Sequence, residues 1–133
     1  MRIWIACLSC MILAVAAAAA QAQSRQQGRP VHNIHLTEKS DISDAAAVDR
    51  AINVMARNVA SCGPVLAKDP HTCACSFKDD MKKLKAAYDS AVAKHAAWNA
   101  EGTVVSYDKP ASGTSVTIIF PAVKRQIDVC AKR

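Results

Sequence analysis

Residues 69–98 read DPHTCACSFKDDMKKLKAAYDSAVAKHAAW, and their spacing decides the fold class. Phe77, Met81, Leu84, Tyr88, Ala91, His95 and Trp98 recur at alternating four- and three-residue steps. That rhythm is one apolar stripe of an amphipathic helix. A further step back from Phe77 lands on Cys73, while Lys78, Lys82, Lys85 and Asp89 fall on a separate, solvated face. Thr72 is the expected cap, and Asn99 and Gly102 end the segment. Asp79 and Asp80 diverge around the helix near its start, where negative charge is favourable.

A second helix of the same kind lies upstream. From Asp41 onward, Ala45, Val48, Ile52, Met55 and Val59 repeat the pattern, and the next step reaches Cys62. Ser40 or Ser43 is placed to cap the start, Gly63-Pro64 stops the helix, and Arg50, Arg57 and Asn58 fall on the wet side. Two matching stripes joined by a short loop predict an antiparallel helical hairpin.

Downstream the period switches to two. TVVSYD (103–108) and SVTIIF (115–120) are rich in β-branched and aromatic residues, with Val116, Ile118 and Phe120 on one face. KPASG between them supplies Pro110 and Gly113 for a turn, so a β-hairpin is expected. The last segment opens with Pro121 near a helix start and carries Val123, Ile127 and Cys130 at helical spacing. The expected class is α+β: a two-helix hairpin, a β-hairpin and a short C-terminal helix.

The chain opens with Arg2, an uncharged apolar run from Ile3 to Ala20, and Ala20-Gln21-Ala22. This is the layout of a secretory signal, with cleavage expected between Ala22 and Gln23. The alternative, a retained membrane anchor, lacks a basic stop-transfer cluster, and the second half of the run is mostly weakly apolar alanine. Three stretches are therefore expected: 1–22 as a cleaved signal, 23–40 as a flexible polar arm, and 41–133 as a single small domain. No stable membrane span is expected after cleavage, and the destination is periplasmic or secreted. His32 and His35 in the arm, at an H-x-x-H spacing, read as surface histidines.

Cleavage leaves four of the six cysteines: Cys62, Cys73, Cys75 and Cys130. An oxidising destination and an even count point to disulfides. Cys62 ends the apolar face of the first helix and Cys73 begins that of the second, so a hairpin brings them together. Cys75 stands about 200° round a helix from Cys73 and is free to meet Cys130. The preferred pairing is Cys62–Cys73 with Cys75–Cys130, ahead of Cys62–Cys75 with Cys73–Cys130; a Cys73–Cys75 bond ranks last. The alternative is a zinc or copper site on His71, Cys62, Cys73 and Cys75. Against it, C-x-C is a less typical metal spacing than C-x-x-C, and oxidation competes for the thiols.

Nothing else in the chain carries a recognisable catalytic motif, and no cofactor is implied. His95, on the apolar stripe, reads as a satisfied core-edge histidine. The formal net charge of +6 favours an anionic envelope or extracellular partner, such as lipid headgroups or acidic glycans. Aromatic side chains make up only 5% of the residues, too few to support nucleic-acid binding. The function expected is a non-catalytic binding or interaction module. Its surface would be the outer face of the hairpin, Val104 to Tyr107, or the lysine face of the second helix.

Overall fold

The computed structural model describes residues 32–63 and 69–132. The signal segment and its Ala22–Gln23 cleavage position lie outside them. In chain order the elements are β1 (His32–His35), α1 (Lys39–Ala60), α2 (Pro70–Ser76), α3 (Lys78–Lys94), a 3-10 turn (Ala96–Asn99), β2 (Thr103–Asp108), β3 (Ser115–Ile118) and α4 (Phe120–Ala131). The class is α+β, with four helices and a mixed three-stranded sheet ordered β1-β2-β3. All described residues belong to the compact unit Val31–Arg133.

The helical hairpin is α1 against α3, and polar contacts at both ends mark its antiparallel sense. Lys94, at the end of α3, reaches Asp44 near the start of α1, with Nζ 2.9 Å from Oδ1. At the other end Asn58 Nδ2 donates to Asp80 Oδ2 at 2.7 Å, so Asn58 is engaged at the interface rather than left on the wet side. Between these clamps Ala45, Val48 and Met55 of α1 are buried with Met81, Leu84, Tyr88 and Ala91 of α3.

Three local features differ from expectation. The α1 helix begins at Lys39, and Glu38 occupies the cap position without a side-chain bond, so neither serine caps it. The second helix is not continuous: Phe77, at φ −86° and ψ 70°, separates the seven-residue α2 from α3. Asp69, not Thr72, caps α2, its carboxylate accepting the Thr72 backbone N–H at 3.1 Å, and Pro70 fills the first turn.

A further, non-local difference is β1. Residues 32–35, expected within the flexible arm, pair in parallel with β2 and register Ile34 with Val105 and His35 with Ser106. Odd spacing in a strand puts His32 and His35 on opposite faces, so they share no ligand-forming side. The bond from Leu36 N to Ser106 O, at 2.8 Å, carries the pairing onward and buries Leu36 in the core.

The β2–β3 hairpin pairs Val105 with Ile118 and Tyr107 with Val116. Gly113 takes a positive φ of 64° in its turn, and Lys109 N bonds Thr114 O at 2.8 Å. Thr103, Val105 and Tyr107 face the core and are buried. The expected outer binding face from Val104 to Tyr107 is therefore corrected: strand alternation turns Val105 and Tyr107 inward and leaves only Val104 and Ser106 on the other side. Phe120, fully buried at the start of α4, joins the layers through Trp98 at 5.2 Å and Tyr88 at 6.1 Å between ring centroids.

Candidate functional site

The site begins with the cysteines. Cys62 is bonded to Cys73 and Cys75 to Cys130, the pairing that the stripe positions favour. The first bond ties the end of α1 to α2, and the second ties α2 to α4, with Cα separations of 6.5 and 5.1 Å. Sulfurs joined in this way offer no thiolate to a metal. His71, the remaining member of the proposed metal set, donates through Nδ1 to Gln126 Oε1 of α4 at 2.9 Å. Among the described residues no group of three or more His, Cys, Asp or Glu side chains is placed to hold a metal ion.

Pinned on both sides, α2 forms one wall of a cleft of about 520 Å³. Ile52, Met55 and Val59 of α1, Met81 and Leu84 of α3, and Val123 of α4 supply apolar lining. The His71–Gln126 pair supplies polar atoms at its wall. Across Met81, which lines both spaces, a second depression of about 420 Å³ runs between α3 and α4. Ile127 and the Cys75–Cys130 bond form its apolar part, and Lys78, Lys82 and Lys85 edge it. Lys85 pairs with Asp89, whereas Lys78 and Lys82 make no ion pair among the described residues. The lysine face anticipated on the second helix thus borders a concavity.

Two further clusters carry chemistry-bearing side chains. At the end of α3, His95 Nε2 donates to Asp44 Oδ2 at 3.0 Å and lies 3.8 Å from Asp41 Oδ1. Its ring stacks on Trp98 with centroids 3.9 Å apart and planes 10° from parallel. The Lys94 ammonium, with the His95 N–H second, holds the Asp44 carboxyl below its ordinary value of 3.8 against the opposing pull of burial. Both His95 nitrogen and Asp44 carboxylate are committed to this clamp, which closes the end of the hairpin.

The other cluster escaped sequence reasoning because β1 did. On the outer sheet face, His35 Nδ1 lies 3.2 Å from Ser106 Oγ and His35 Nε2 lies 3.5 Å from Asp108 Oδ2. These are the residue types of a hydrolytic triad. Yet Ser106 sits in the central strand, whose backbone groups are used in ladders with β1 and β3, leaving no amide pair for an oxyanion. His35 and Asp108 are 52% and 66% exposed, so the trio lacks a water-excluding pocket as well. It is a polar ladder on an open sheet face.

Among the described residues no helix is long and apolar enough to cross a membrane. In comparisons with known proteins, no family model, curated protein or solved structure matches the chain.

Proposed function

We propose that the protein is exported, to the periplasm or beyond the cell, and acts there as a non-catalytic binding module with the apolar cleft as its ligand site. The cleft is the observation that carries this reading. Its volume of about 520 Å³ falls inside the range usual for small-ligand sites, and its lining is almost wholly apolar with one polar pair. Two disulfides support the exported destination, since such bonds persist where the environment is oxidising.

A neutral apolar fluorophore tests the cleft. Ala56 is exposed on α1 and belongs to the cleft lining, so Ala56→Trp fills the space from the solvent side without entering the core. The expected result is stoichiometric dye binding to the native chain and its loss in the variant, with unchanged melting. Dye binding that survives Ala56→Trp would refute the site. Intact mass of the delivered protein, before and after alkylation, tests the destination. A leader removed near Ala22 and no alkylated thiol are expected, and free thiols would overturn it.

A further inference from the structure

We infer that the two depressions on either side of Met81 form one site for a long-chain carboxylate, its chain in the cleft and its head on Lys78 and Lys82; this rests on the cleft being a ligand site. Three observations converge. The cleft offers apolar surface and little polar recognition, so it suits a hydrocarbon chain. The neighbouring depression is edged by three lysines on one helical stripe, at i, i+4 and i+7. Met81 is the single residue the two linings share, and an unbranched thioether side chain shifts readily to open a passage.

The charges favour an anion at that position. Lys85 already has Asp89, but Lys78 and Lys82 hold no carboxylate among the described residues. Of the two acids in the first turn of α3, Asp80 is engaged by Asn58 and Lys83, on another side of the helix. Asp79 is exposed and stands one turn before Lys82, but the two make no ion pair among the described residues, the acid pairs of this helix being Asp80 with Lys83 and Asp89 with Lys85. The same first turn presents the positive end of the helix dipole. An alkyl chain with a terminal carboxylate satisfies both halves at once, apolar wall and unneutralised ammonium groups. A neutral chain satisfies only the first.

Calorimetric titration of the full oxidised chain with laurate and with dodecanol, both below aggregation, separates the possibilities. One laurate per chain is expected, with dodecanol about tenfold weaker, the scale of two partly exposed charge contacts. Added salt should weaken laurate alone. Both lysines are exposed, so Lys78→Gln with Lys82→Gln preserves the fold; it is expected to reduce laurate to the dodecanol affinity and leave dodecanol unchanged. Ala56→Trp should abolish both ligands. Equal binding of laurate and dodecanol, indifferent to the lysine variant, would overturn the head-group assignment while the cleft stands. Laurate binding that Ala56→Trp leaves intact would place the chain elsewhere and overturn the joint site. Binding of neither ligand, with the fluorophore also unbound, would remove the cleft itself.

Discussion

Removing the Cys75–Cys130 bond should cost more stability than removing Cys62–Cys73, although the second sits deeper, with Cys73 only 1% exposed. The two bonds close separate loops, with sequence separations of 11 and 55, and neither loop lies within the other. In the chain-entropy account each bond therefore acts independently on the unfolded ensemble. The shorter loop is worth about 3 kcal/mol and the longer about 4 kcal/mol. Their difference depends only on the ratio of loop lengths and comes to about 1.4 kcal/mol, a factor of about ten in the folding equilibrium. Either loss is a large share of the ~5–15 kcal/mol that holds a domain together. Urea unfolding of the paired variants Cys62→Ala with Cys73→Ala, and Cys75→Ala with Cys130→Ala, measures both, with the midpoints compared at constant m. The longer loop's variant should unfold at the lower urea concentration. If the Cys62–Cys73 variant proves the less stable, packing around Cys73 outweighs loop closure and the reasoning fails.

The remaining tests address the hairpin clamp, the aromatic joint and the short helix. Because its partners depress the Asp44 pKa, the stabilisation it provides is full above 3.8 and is lost as pH falls through the lower folded value. Asp44→Asn should cost about 1–2 kcal/mol at neutral pH, and the two stability curves should converge in acid; a constant gap down to the lowest pH would contradict the assignment. Phe120→Ala removes a fully buried ring between Trp98 and Tyr88 and should cost about 3–5 kcal/mol, with a changed near-ultraviolet signal from Trp98. Reduction without denaturant should raise amide exchange in residues 70–76 before it does so in α1 or β2. Equal protection of α2 in both redox states would show that packing alone holds it.

Much of this architecture was legible because it rests on local period. The α1 and α3 stripes, the β2–β3 hairpin and its Gly113 turn each depend on residues close in sequence, and the cysteines extend those stripes to their ends. The failures share a non-local cause. His32 to His35 has only Ile34 and then Leu36 as alternating apolar residues, too weak a signal by itself. It becomes a strand because the free edge of β2, about seventy residues away, takes up its backbone groups. The break at Phe77 carries no glycine or proline to announce it. The cleft follows from that break, so the lysine face could be read from spacing while the hollow beside it could not. The His35, Ser106 and Asp108 cluster was hidden for the same reason, since its register exists only once β1 is paired.

The C-x-C spacing has a physical reason that joins these elements into one device. A helix of seven residues is too short to persist on its own, because nucleation is costly and even alanine-rich helices below about 12–15 residues are marginal in water. Two positions apart on a helix point in nearly opposite directions, about 200°. Cys73 and Cys75 can therefore face α1 and α4 at once and fasten the short α2 between them. Had α2 continued straight into α3, one bond direction would have been served and the other lost. The turn at Phe77 frees α2 to lie where both sulfurs reach, and α2 then becomes a wall of the cleft through Pro70, His71 and Ala74. Asp69 at its start and the His71–Gln126 bond fix its rotation, which sets the direction of the one polar pair in the lining. The spacing that looked like a metal or redox motif lets both sulfurs of the short α2 reach their partners, and so fastens one wall of the apolar hollow on two sides.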